Sequence, residues 1–149
     1  MPQSLAQVYL HLVFSTKNRQ PLLVNPSIRQ ECHAYLAGTC NARGSPSLIV
    51  GGVADHVHLL CTLAREEAIA VLIRELKRES SKMLKTKGLA SFYWQAGYGA
   101  FSVSPSHVAA VKEYIRNQEV HHQRVSFQDE FRRLLAKYGI AYDERYVWD

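Results

Sequence analysis

Cysteine is scarce in this chain of 149 residues: Cys32, Cys40 and Cys61 are odd in number and lack CxxC spacing. That excludes a disulfide framework and a thiolate zinc site, and leaves three small buried hydrophobes. No apolar stretch approaches the ~18 residues needed to cross a bilayer, and the opening MPQSLAQVYLHLVF carries no positively charged leader. A cytoplasmic protein with no membrane association is expected. Internal repeats and low-complexity tracts are missing, which sets aside solenoid and disordered readings. None of the glycine-lysine loops that cradle nucleotide phosphates is present, so no ATP site is expected.

What is there suits one globular domain over 1–149, with a core from about 6 to 125 and a C-terminal helix and aromatic tail from about 126 to 149. Hydrophobic residues make up 47% and charged residues 21%, an ordinary soluble composition. The net charge of +5 and pI near 9.2 favour a polyanionic partner.

Residues 6–16 alternate, with Val8, Leu10, Leu12 and Phe14 on one face and Tyr9, His11 and Val13 on the other, as in a strand of a covered sheet. Asn25 then caps a helix before Pro26, with an apolar stripe at Ile28, Cys32, Tyr35 and Leu36 and a stop near Gly44. Two short β-rich runs, 48–50 and 56–63, are hinged by Gly51, Gly52 and Asp55 and read as a hairpin. A second helix is predicted over 66–87 from the stripe Ile69, Leu72, Ile73, Leu76, Met83 and Leu84. A strand over 98–103 follows, and Ser104, Pro105 and Ser106 start a third helix with a hydroxyl cap and a first-turn proline. Phe127, Phe131, Leu134, Leu135 and Tyr138 mark a fourth helix ended by Gly139. The order β-α-β-β-α-β predicts an α+β fold of the ferredoxin-like, RRM-like kind: a split β-α-β antiparallel sheet with helices packed on it and a helical extension. That skeleton fixes no function.

Side chains two apart on a strand point the same way, so His56 and His58 share a face opposite Val57, Leu59 and Cys61. One metal ion can meet both rings; equally, both can be packed structural histidines. A histidine-triad hydrolase would need a third histidine at position 60, which is Leu60, and the two separate H-x-S/T motifs of a two-histidine phosphodiesterase are both missing. Downstream, Tyr114 and Gln118 are four apart on the third helix, about 40° apart around its axis, with His121 on the same side. A phenol and an amide oxygen are offered together, unless they are an amphipathic tyrosine and a solvated glutamine.

The segments HLVFSTKNRQPLL, DHVHLL, YWQAGYGAFSVS and YIRNQEVHH, in this order and spacing, resemble the small single-tyrosine transposases of the HUH superfamily, which move insertion sequences through single-stranded DNA. The likeness covers most of residues 8–125 and is strongest to the branch associated with repetitive extragenic palindromes. It implies that His56, His58 and Gln118 hold a divalent ion, Mg2+ or Mn2+, and that Tyr114 is the nucleophile, forming a 5′-phosphotyrosine and releasing a 3′ hydroxyl before a strand end rejoins the DNA. Ligand preference alone would favour manganese or zinc for two imidazoles and an amide; the family implies magnesium or manganese. The resemblance further implies a bacterial, nucleoid-associated enzyme, single-stranded DNA with hairpin ends as partner, and a homodimer, with the site completed in cis or in trans. A phenol of ordinary pKa near 10 needs help to lose its proton, and His121 or His122 are candidates for that transfer.

Arg74, Lys77, Arg78, Lys82 and Lys85 form one basic face of the second helix, either a phosphate-binding surface or a solvated face laced with Glu75 and Glu79. Lys17 and Arg19 are further DNA-binding candidates. Tyr93, Trp94, Tyr98 and Phe101 either stack on unpaired bases or belong to the core. The reading from a different class is a noncatalytic, domesticated nucleic-acid-binding module on the same skeleton. A small-substrate metal hydrolase fits less well, since it has no need of a helix-borne tyrosine.

Overall fold

Four strands form one antiparallel sheet in the order β2-β3-β1-β4 in the computed structural model, which describes residues 2–149. They are β1 (Tyr9–Ser15), β2 (Ser47–Gly52), β3 (His56–Thr62) and β4 (Gly99–Val103). The helices are α1 (Pro26–Ala42), α2 (Ile69–Thr86), α3 (Val108–Arg116), α4 (Gln118–His121) and α5 (Phe127–Lys137). This is the split β-α-β arrangement that the alternation of patterns predicts.

Strand periodicity sorts the core onto two faces. Leu10, Leu12 and Phe14 of β1 and Val57, Leu59 and Cys61 of β3 join Cys32, Leu36 and Cys40 of α1 and Leu72, Ile73, Leu76 and Leu84 of α2 in the main core. Tyr9, His11 and Val13 of β1, with His56, His58 and Leu60 of β3, face the other way, toward α3, α4 and α5. The β1–β3 register sets Val13 against His58 and Ser15 against His56, so the histidines lie in the middle of the sheet, covered on both sides.

The predicted Asn25 cap is present: its Oδ1 accepts from the backbone N–H of Ser27 at 2.9 Å and of Ile28 at 3.3 Å. α2 begins at Ile69 rather than at residue 66, because Glu67 is drawn out of the helix to pair with Arg43 and Ala68 offers no capping side chain. The third helix departs furthest from expectation. Ser104 spends its hydroxyl on His107 Nδ1, at 2.8 Å, rather than on a backbone N–H, and Pro105–His107 form a 3-10 turn before α3. The helix also breaks at Asn117, with φ −94° and ψ 20°, so Tyr114 and Gln118 lie on successive helices, α3 and α4.

Two glycines set how closely the site helices approach the sheet. A Cβ on Gly51 of β2 would lie 2.5 Å from the Ile115 carbonyl oxygen, so only a residue without one lets α3 lie this low. A Cβ on Gly99 of β4 would lie 2.6 Å from Phe131 Cε1, the equivalent clearance for α5. α5 is held by Phe127, Phe131 and Leu135 against Val13 and Phe101. The tail docks on it: Trp148 packs near Phe127 and Phe131, and the Asp149 carbonyl accepts from the Gly97 N–H at 2.8 Å.

Candidate functional site

The two β3 imidazoles, the α3 phenol and the α4 amide meet, within one chain, around a carboxylate from α5. His56 and His58 are fully buried, Gln118 is 1% exposed and Glu130 2%. His58 Nε2 lies 2.8 Å from Glu130 Oε1 and His56 Nε2 lies 3.4 Å from the same oxygen. Gln118 Nε2 donates to Glu130 Oε2 at 3.1 Å, while its Oε1 sits 3.1 Å from His56 Nε2. Tyr114 donates its hydroxyl proton to Glu130 Oε2. Behind the pair, His56 Nδ1 is 2.7 Å from Asp55 Oδ1 and His58 Nδ1 is 2.7 Å from His11 Nε2, the outer contacts that orient ring ligands.

Burial and this single carboxylate set the electrostatics. Burial works against charge on His56, but hydrogen bonds to Asp55 and Glu130 overcome it and raise its pKa to about 9. His58 goes the other way, to about 4, because burial outweighs the hydrogen bond that it donates to Glu130. His11, buried and beside His58, falls to about 3. Burial would raise the Glu130 pKa, yet the close imidazoles of His122, His56 and His58 hold it far below the carboxylate range. Tyr114 is pushed well above the ordinary phenol value by burial and by the negative charge of Glu130. In this arrangement the phenol keeps its proton.

The donor set fits a divalent cation. One ligand atom from each of His56, His58, His122 and Glu130 lies within 4.8 Å of the others. The Nε2 atoms of His121 and His122 are buried and lack a hydrogen-bond partner among the described residues, although both approach Glu130 Oε2, at 3.2 and 3.1 Å. Free imidazole lone pairs converging with a carboxylate are what a metal ion neutralises.

Residues 4–118 match the family model described as Transposase IS200 like. The chain belongs to the IS200-like transposase family. It is 26% identical over 119 residues to the ISDra2 transposase TnpA of Deinococcus radiodurans, spanning 75% of this chain and 84% of that protein. Two solved structures share the fold. A candidate transposase of Deinococcus radiodurans R1 superposes with a TM-score of 0.60 at 23% identity, over 79% of this chain and 98% of that one. A REP-associated tyrosine transposase bound to a REP hairpin gives 0.61 at 16%, over 84% and 74%. The family makes this chain a DNA transposase, and no described helix is long and apolar enough to cross a membrane.

The family match ends at residue 118, so Glu130 lies beyond it. Sequence reasoning missed Glu130, His11 and Asp55. Glu130 had a signal: three residues after Phe127 and four before Leu134, it is a carboxylate on the apolar stripe of α5.

The basic candidates are dispersed. Arg74 and Arg78 are exposed on α2, paired with Glu75 and Glu79, and α2 covers the sheet face opposite Tyr114. Lys82 is exposed on the same helix. Lys77 is turned inward: its ammonium donates to the carbonyls of Gln95, Ala96 and Gly97, and burial lowers its pKa to about 8. Lys85 and Lys17 stand 4.4 and 6.0 Å from the ring of Tyr93, which is 55% exposed, while Arg19 leans on Trp148. Tyr98 is also exposed; Trp94 and Phe101 are core. Beside the site, a groove of about 630 Å³ runs between α3 and α5, lined by His107, Val111, Tyr114, Arg133, Lys137 and Tyr138.

Proposed function

We propose that the protein cleaves and rejoins single-stranded DNA next to a hairpin, with Tyr114 as nucleophile and a 5′-phosphotyrosine intermediate. The observation that carries this reading is the meeting of the Tyr114 hydroxyl with the His56 and His58 imidazoles around one buried carboxylate. His56, His58 and Gln118 would hold Mg2+ or Mn2+, which when bound neutralises and orients the scissile phosphate.

The groove between α3 and α5 leads a strand to Tyr114, with Arg133 and Lys137 facing its phosphates. Tyr114 attacks phosphorus: the tyrosine O–P bond forms, the P–O3′ bond breaks, and the departing 3′ oxygen takes a proton from water to become a 3′ hydroxyl. The phenol proton passes to His121, whose ring centroid is 5.3 Å from that of Tyr114 and whose Nε2 has no partner among the described residues. Burial lowers the His121 pKa, leaving it neutral and able to accept. His122 is the alternative acceptor: its Nδ1 donates to the Val125 carbonyl, which leaves Nε2 as the free lone pair. Reversal by an incoming 3′ hydroxyl rejoins the strand. The phosphotyrosine conserves the bond energy, so no nucleotide is consumed. Lys17, Arg19, Arg74, Lys82 and Lys85 are the remaining candidates for the DNA surface, and a homodimer is part of the same reading.

Labelled single-stranded hairpin DNA incubated with the protein and Mn2+ is expected to give a covalent adduct on a denaturing gel. Tyr114→Phe is expected to bind the hairpin as tightly and form none. An adduct surviving that substitution removes Tyr114 from its role.

A further inference from the structure

The carboxylate at the centre of the site belongs to a helix outside the segment that defines the family. We propose that Glu130 is itself a ligand of the divalent ion, supplied in cis by α5, so that the site combines two strand imidazoles with a helix carboxylate. The inference shares with the proposed function the ion and its two imidazole ligands, and not the strand-transfer chemistry.

Glu130 is placed as a ligand rather than as a neighbour of ligands. Its Oε1 faces both β3 imidazoles on their Nε2 side, at 2.8 and 3.4 Å, the side left free when Nδ1 is engaged from behind by Asp55 or His11. Its Oε2 faces His122 Nε2 at 3.1 Å, and that nitrogen is buried without a partner among the described residues. A carboxylate 2% exposed on an apolar helix face is costly unless positive charge meets it. Among the described residues it forms no ion pair with a lysine or arginine and is ringed by imidazoles, an amide and a phenol, a donor set for which a divalent cation is the natural complement.

The chemistry of the ion points the same way. Two imidazoles and an amide are a neutral set that suits zinc or manganese, whereas magnesium prefers hard, anionic oxygen. Glu130 supplies that oxygen. The purely structural alternative makes Glu130 a hydrogen-bonded anchor that pins α5 to β3 and never touches the ion.

Calorimetric titration of Mn2+ into the metal-free full chain separates the two. Glu130→Gln keeps the shape and much of the hydrogen bonding while removing the charge. Loss of a ligand is expected to weaken Mn2+ binding at least about tenfold, and Mg2+ binding more. Equal affinity in wild type and Glu130→Gln overturns the proposal, as does failure of the wild type to bind Mn2+. Should Glu130→Gln not fold, wild-type protein with isotope-labelled glutamate answers by infrared difference: Mg2+ is expected to shift one glutamate carboxylate stretch, and binding without a shift overturns the assignment. The adduct assay keeps the two ideas apart. Glu130-dependent Mn2+ binding without an adduct sinks the strand-transfer reading alone, and an adduct with Glu130-independent binding sinks this one alone.

Discussion

Five side chains, His56, His58, His121, His122 and Gln118, bring a nitrogen within 3.4 Å of the Glu130 carboxylate, and Tyr114 adds a hydroxyl. The residues around it divide into those that gain a proton in the folded state and those that refuse one. His56, raised to about 9, binds its proton more tightly folded than unfolded; its contribution is complete below the ordinary imidazole value of 6.5 and is lost as pH rises through about 9. His11 and His58, lowered to about 3 and about 4, do the reverse. Between 6.5 and those values the unfolded chain takes up protons that the folded chain rejects, so stability falls as pH drops through that window. The metal-free protein is therefore expected to melt at progressively lower temperature from pH 6.5 toward pH 4. His11→Gln, which cannot titrate, should flatten that acid limb, as thermal melts against pH will read. An acid limb as steep in His11→Gln as in wild type would mean that His11 is not among the groups responsible.

At the level of elements, the site depends on two helices lying close against the sheet, and the glycines beneath them are the sensitive points. Gly51→Ala puts a methyl group 2.5 Å from the Ile115 carbonyl oxygen, a backbone atom that cannot swing aside, so α3 has to lift. Overpacking of this kind costs about 1–3 kcal/mol, and displacing a reacting group by about 1 Å can cost about a hundredfold in rate. Denaturant unfolding and the rate of adduct formation, measured on the same variant, should show a modest loss of the first and a severe loss of the second. Much of this architecture is legible in the sequence. Alternation placed His56 and His58 on one face, the Asn25-Pro26 pair located the start of α1, and the stripe of α5 with Gly139 beyond it located that helix. Two things were not legible. The break at Asn117 separates Tyr114 from Gln118, yet sheet packing still brings both to the histidines, a tertiary effect that helical spacing cannot anticipate. Glu130 stands 72 residues from His58, and pairing at that distance is decided by how α5 seats on Phe101 and Val13. A charged residue on an apolar stripe was its only local sign.

For the molecule as a whole, the net charge of +5 is less informative than where the cations lie. Those of α2 stand on the sheet face away from Tyr114 and are partly spent on Glu75 and Glu79, while Lys77 is spent on backbone carbonyls. The cations beside the nucleophile are Arg133 and Lys137, which line the groove that Tyr114 closes. If a single strand lies there, its affinity carries the release of the counterions those two side chains displace, about 0.7 per neutralised phosphate in the slope of log affinity against log salt. Arg133→Ala combined with Lys137→Ala should reduce the slope for a single-stranded oligonucleotide by about 1.4 and slow adduct formation. Fluorescence anisotropy over a series of salt concentrations measures the slope. An unchanged slope would place the strand elsewhere on the surface, and the groove would then be only the gap left where α5 packs beside α3.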